Sequence, residues 1–283
     1  LRDGPLHDAF ANVCDLRVDL VPDRFQPAGL ARVRRVLHGA DALVLVDVPR
    51  NVRFYGLAAS TLLGCRLARV VWCKSEPTDD NPFLVPLRRY VRLGLADAVV
   101  CTSRRQRRLL VAGGLPRRRM PLIRNGIDLH AIRNARDERL GVDADTPLFV
   151  QVANATPAKD FDTLCAAAGL LVRRGLRFRL HLVGRDTDAP HVARRIAAHH
   201  ADHAVRALGP RDDVADLLAG ADAVVLSTHR EVFSVVALEA MAAGLPLITT
   251  DIDAFDEMFD HDAEGLKTRA GDAADLAAAI ERV

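Results

Sequence analysis

The feature that most limits what this chain can become is a repeated alternation. Short runs that are almost wholly apolar, and rich in Val, Leu and Ile, are separated by segments of helical length. The runs fall at residues 17–21, 42–47, 69–73, 97–101 and 120–123, and again at 147–153, 178–183, 204–208, 222–227 and 246–250. A strand with one face in water alternates apolar and polar residues, whereas an unbroken apolar strand is covered on both faces. Such strands, joined by helices like those expected at 162–174 and 191–200, form parallel sheets with right-handed crossovers. The expected class is α/β, doubly wound and Rossmann-like.

A length of 283 residues corresponds to about two domains. An Asn125–Gly126 turn closes the first series of runs, and a charged stretch without strand character follows at 134–145. The expected division is an N-terminal domain at 1–130, a linker at 131–144 and a C-terminal domain at 145–283. The first strand found in the N-terminal half reads as the second of such a fold, so that domain is expected to be incomplete. The chain opens at Leu1 without a Met and reads as a fragment. Hydrophobic residues at 49% and charged residues at 27% exclude disorder as the main state. Five cysteines (Cys14, Cys65, Cys73, Cys101, Cys165) are odd in number and lack CxxC spacing, which argues against zinc ribbons and disulfide scaffolds. Reduced thiols point to a reducing compartment, expected to be the cytoplasm. No uncharged apolar run reaches the length of about 18 residues that a spanning helix needs.

Ligands of open parallel sheets bind beyond the carboxyl ends of the strands. Two segments there carry chemistry. In the first, Glu231 precedes Ser234, a candidate N-cap for an apolar helix at 235–243 that contains Glu239. A carboxylate in a helix of Val, Ala, Leu and Met, expected to be buried on most sides, is costly unless something polar meets it. Ribose or hexose hydroxyls would do so, and the helix N-terminus suits phosphate. On spacing alone, Glu239 equally fits a bond to neighbouring backbone or to an Arg, and Glu231 fits a solvated loop charge. In the second segment, Lys159 stands just before a helix that Asp160 would cap. That is the wrong end of the helix dipole for a cation, and makes sense if an anion such as a diphosphate lies between them. A solvated Lys is the bland alternative. Lysine is scarce here, with only Lys74, Lys159 and Lys267 among 39 basic residues.

Taken together, residues 97–283 resemble family 4 retaining glycosyltransferases of the GT-B fold. The resemblance rests on residues 97–103, the run 121–128 through Arg124–Asn125–Gly126, the strand and turn His181–Leu182–Val183–Gly184, the loop 208–214 with Arg211, and the E-x7-E spacing of Glu231 and Glu239 followed by 240–246. It implies two Rossmann-like domains and transfer of a sugar from a nucleoside-diphosphate sugar to an acceptor hydroxyl. Polysaccharide, glycolipid or cell-envelope glycan synthesis would be the setting. Lys159 would neutralise the donor diphosphate, helped by Arg211. Glu239 would hold ribose, Glu231 would contact the transferred sugar, and amides near Val232, Phe233 and Ser234 would meet phosphates or sugar. Asn154 and Gly184 would face the donor. No metal or other cofactor is implied. The chain departs from the family at Asn154, where many members have Arg, at Val232 in place of Gly, and at Asp253–Ala254 in place of Gly-Gly. Lys74, Ser75 and Glu76 stand where members often carry an acceptor-side His. A nucleotide-sugar-binding module without transfer, or a GT-B epimerase, would share the same donor site.

Other patterns weigh less. Asp251–Ile252–Asp253 has metal-site spacing, but so do three other triplets in this Asp-rich chain, and His199 with His203 lack a third ligand. Residues 69–124 hold thirteen Lys/Arg against four Asp/Glu, and residues 209–283 hold five against sixteen. The basic region 82–119, with apolar residues interleaved at 83–95, fits peripheral contact with an anionic membrane, and equally a solvated helix face. No nucleic-acid recognition motif accompanies the charge, so nucleic acid is not an expected partner.

Overall fold

The computed structural model describes residues 27–46, 50–62, 67–73 and 84–283. The chain forms two units, one of residues 1–101 and 106–122, the other of residues 102–105 and 123–283. The expected strand at 17–21, Cys14, Cys65 and the acceptor-side residues Lys74, Ser75 and Glu76 lie outside the described residues.

The described part of the N-terminal unit contains α1 (Pro27–Val36), β1 (Ala42–Val46), α2 (Arg50–Leu62), β2 (Ala68–Trp72), α3 (Leu84–Arg92), β3 (Ala98–Val100) and most of α4 (Arg104–Ala112). Its strands pair in parallel in the order β1-β2-β3. Leu45, Leu57, Val71, Leu87, Val91 and Val99 close its core. Two sequence expectations are corrected in this unit. Residues 120–123 form no strand, only a single parallel bridge between Cys101 and Leu122. Moreover, β1 is covered on one face: Leu43 and Leu45 meet the core, while Val44 and Val46 are 51% and 42% exposed. An apolar run records strand propensity on both faces, but not what packs on each.

The C-terminal unit has α5 (Leu129–Arg133), β4 (Leu148–Val152), α6 (Phe161–Arg173), β5 (Arg179–Val183), α7 (Pro190–Ala198), β6 (Val205–Gly209), α8 (Val214–Ala219), β7 (Ala223–Leu226), α9 (Val235–Ala242), β8 (Leu247–Thr250), α10 (Asp253–Asp256), β9 (Gly265–Thr268) and α11 (Ala273–Arg282). All six strands are parallel, in the order β6-β5-β4-β7-β8-β9. β4, β7 and β8 are buried along almost their whole length, as their unbroken apolar runs require. Phe149, Leu164, Leu180, Ile248 and Ile280 build the core beneath α6, α7 and α11. Leu218, Leu226, Ala237, Phe255 and Phe259 build the one beneath α8, α9 and α10. The strand order reverses between β4 and β7. Their following loops diverge to opposite faces of the sheet, and the crevice between them is where doubly wound sheets take ligands.

Candidate active site at the switch point of the C-terminal sheet

The loop after β4 and the loop after β7 carry Lys159 and Glu231, and the structure joins them. Lys159 Nζ donates to Glu231 Oε2 at 2.7 Å, with the two side chains 27% and 19% exposed. Glu231 Oε1 accepts from the Val232 N–H at 2.9 Å. A lysine ammonium has three N–H donors, so a single carboxylate bond leaves two for another anion.

The loops are stitched together around that pair. Asp160 caps α6 by accepting from Thr163 N at 3.2 Å, as its sequence position predicts. Its other carboxylate oxygen lies 3.3 Å from His229 Nε2. Thr228 Oγ1 and His229 N both donate to Ala158 O at 2.8 Å, and Ser227 Oγ donates to Asp160 O at 3.2 Å. Beneath them the buried Gln151 accepts from Ser227 N through Oε1 at 3.0 Å, and its Nε2 has no partner among the described residues. Lys159 is therefore held by its loop rather than swinging freely in solvent.

A cavity of about 200 Å³ opens here, lined among others by Gln151, Ala153, Lys159, Thr228, Glu231 and Ser234. Ser234 is the N-cap of α9 and accepts from Ala237 N at 3.2 Å. Among the described residues no acceptor meets the N–H groups of Phe233 and Ser234. Phe233 is fixed from the other side, because Asn125 Nδ2 donates to its carbonyl at 2.9 Å and the Arg124 guanidinium lies 5.6 Å from its ring centroid. The Arg124–Asn125–Gly126 run thus holds the start of α9 in place. The cavity combines a cation with free amides at a helix N-terminus, which suits a phosphoryl group.

Glu239 sits one helical turn beyond Val235, which lines the cavity, and is not itself in that lining. Its carboxylate has no hydrogen-bond or ion-pair partner among the described residues, and burial pushes its pKa above the usual carboxylate value. The expectation that α9 is buried on most sides is corrected. Only Ala237 and Ala240 are fully buried, and Val235 is 40% exposed. One flank of this apolar helix is open, so Glu239 is half-buried rather than enclosed.

The remaining predicted positions fall around the rim. Gly184 follows β5 at φ +135°, and a Cβ there would stand 2.3 Å from Ala153 O. Glycine is what lets the ends of β4 and β5 approach. Asn154 Oδ1 accepts from Arg185 N at 3.1 Å, so its side chain braces the two loops. Arg211 is in a doubly bonded pair with Asp213, Nε to Oδ1 at 2.8 Å, and does not line the cavity. Thr228, His229 and Gln151 were not legible as site residues, since each acts through a partner far away in the chain. Of the aspartate triplets with metal-site spacing, Asp253 is paired with Arg105 at 3.0 Å and Asp262 with Arg282 at 2.5 Å.

Comparison with known proteins adds to this picture. Residues 146–283 match the family model described as glycosyl transferases group 1. The chain is similar to N-acetyl-alpha-D-glucosaminyl L-malate synthase of Bacillus anthracis, 26% identical over 204 residues, covering 68% of this chain and 51% of that protein. It is also similar to D-inositol 3-phosphate glycosyltransferase of Saccharomonospora viridis, 32% identical over 173 residues, covering 56% of this chain and 40% of that one. The chain thus spans about half the length of these curated relatives. In structure it is similar to Anabaena HepE solved in complex with UDP-glucose, at TM-score 0.76 and 22% identity over 91% of this chain and 74% of that one. A glycosyltransferase from Rickettsia africae aligns at TM-score 0.80 and 15% identity over 99% of this chain and 77% of the other. The fold is therefore α/β with parallel Rossmann-like sheets, as in these solved structures, and the stretch that matches the family model described as glycosyl transferases group 1 is the one that holds the Lys159–Glu231 pocket.

Proposed function

We propose that the chain is the donor-binding and catalytic part of a retaining glycosyltransferase of the family 4 type, moving a sugar from a nucleoside-diphosphate sugar to an acceptor hydroxyl. The observation that carries this reading is the Lys159–Glu231 pair at the switch point, beside the free amides of α9. In the proposed reaction the bond between the anomeric carbon and the pyrophosphate breaks, and negative charge grows on the leaving phosphate. Lys159 and the amides at Phe233 and Ser234 stabilise that charge, an electrostatic role that preorganised donors perform well. Glu231, tied at both oxygens, keeps acceptor lone pairs for sugar hydroxyls. Glu239 takes ribose hydroxyls, which would supply the partners it lacks.

The acceptor would be a glycan or a lipid-linked saccharide, with contact to an anionic membrane at the basic region. Leu87 and Val91 of α3 are buried in the core, while Leu93 is 71% exposed and Arg88, Arg89 and Arg92 around it are exposed as well. No helix among the described residues is long and apolar enough to cross a membrane. A protein of this kind would act in cell-envelope, glycolipid or polysaccharide synthesis.

The test is release of nucleoside diphosphate from UDP-, GDP- and ADP-sugars in the presence of sugar and lipid-linked acceptors. Transfer with retention of anomeric configuration, lost in Lys159→Ala, supports the reading. Donor binding without transfer to any acceptor favours a binding module, and interconversion of the free sugar nucleotide favours an epimerase.

A further inference from the structure

A nucleoside diphosphate brings two or more negative charges to a pocket whose one lysine is already matched. Lys159 is paired with Glu231 at 2.7 Å, and Arg211, on the loop after β6, is paired with Asp213. The pocket therefore starts close to neutral, and a pyrophosphate needs a cation that is not already spoken for.

Arg185 and Arg230 are both exposed arginines whose side chains have no partner among the described residues, and Arg185 is the one bonded to Asn154. It follows Gly184 on the loop after β5, is exposed, and its guanidinium forms no ion pair or hydrogen bond among the described residues. Its backbone is fixed to the loop that carries Lys159: Arg185 N donates to Asn154 Oδ1 at 3.1 Å, and Ala155 N donates to Arg185 O at 2.9 Å. The tight seat of Gly184 against Ala153 holds the same junction. Two carboxylates lie close in sequence, Asp186 and Asp188, both exposed and neither paired with Arg185. A planar guanidinium offers two parallel N–H bonds to phosphate oxygens, which an ammonium does not.

We infer that Arg185 is a second diphosphate-binding residue of the donor pocket, and that Asn154, whose Oδ1 accepts from the Arg185 N–H, serves to position it. This rests on the proposed donor site. Calorimetric titration of UDP, GDP and ADP identifies the tightest binder, which is then compared with its monophosphate in wild type, Arg185→Ala, Arg185→Lys, Asn154→Ala and the Arg185→Ala/Asn154→Ala double variant. Arg230→Ala is the comparison, since Arg230 is an equally exposed cation whose carbonyl is bonded by Thr228 Oγ1 rather than by the Asn154 loop. Arg185→Ala is expected to weaken the diphosphate at least tenfold and the monophosphate less, with Arg185→Lys recovering part of the loss. Asn154→Ala alone is expected to weaken the diphosphate by a smaller factor, and to add nothing in the Arg185→Ala background. Unchanged affinity in Arg185→Ala, an equal loss in Arg230→Ala, or additive losses in the double variant would overturn the inference while leaving the donor site standing. Failure of wild type to bind any of the three diphosphates would instead remove the donor site itself.

Discussion

Replacing Gly184 by Ala tests the architecture of the pocket through a single methyl group. The new Cβ would lie 2.3 Å from Ala153 O and 2.6 Å from its carbonyl carbon. That is roughly 1 Å inside a close C···O approach of about 3.3 Å. The obstruction is backbone, so no side chain can swing aside. At φ +135° an L-residue also carries about 1–3 kcal/mol of conformational strain. Relief requires the ends of β4 and β5 to separate, which strains Ala153 N to Val183 O and Gly184 N to Gly209 O, both 2.8 Å. At about 1 kcal/mol for each bond, the expected destabilisation is about 3–5 kcal/mol. Urea unfolding followed by far-UV circular dichroism measures it, and Trp72, in the other unit, gives a fluorescence signal that should not shift. A loss below about 1 kcal/mol would mean that the junction is slack, and the tight seating of Gly184 would not be what shapes this side of the pocket.

Two further perturbations follow from buried ionisable groups. His181 lies on β5, only 1% exposed, with Nδ1 unpartnered among the described residues, and burial together with nearby arginines pulls its pKa down to about 4. The unfolded chain takes up that proton near pH 6.5, so stability is fully present above that value and is lost as pH falls toward 4. The shift corresponds to about 3 kcal/mol; His181→Gln should flatten the acid arm of the pH–stability curve, and an unchanged arm would refute the assignment. Glu239 has the opposite sign: its pKa is raised by burial, so it costs stability as pH rises above the unfolded carboxylate value. Glu239→Gln is expected to raise stability at pH 7 while weakening nucleotide-sugar binding, as measured by thermal shift and calorimetry; a fall in both would mark Glu239 as structural.

Much of the C-terminal sheet was legible because β4, β7 and β8 are buried on both faces, which leaves an unbroken apolar signature. The caps at Asp160 and Ser234 were legible because they depend on residues three positions away. The edge strand β9 was not, since Gly265, Lys267 and Thr268 interrupt its only leucine. Lys159 stood out because lysine is scarce in this arginine-rich chain, yet its bond to Glu231 spans 72 positions and only the register of β4 against β7 creates it. The same reason hid Thr228, His229 and Gln151. The openness of α9 was misjudged because composition reports how apolar a helix is, not which of its sides meets a neighbour.

Hydrogen–deuterium exchange, with and without the nucleoside-diphosphate sugar that binds tightest, addresses the central claim most directly. Slowed exchange concentrated in residues 153–160, 184–186 and 227–236 is the predicted result, because these segments surround the Lys159–Glu231 pair. Protection confined to other parts of the sheet, or none at saturating ligand, would contradict a donor site at the β4–β7 crevice.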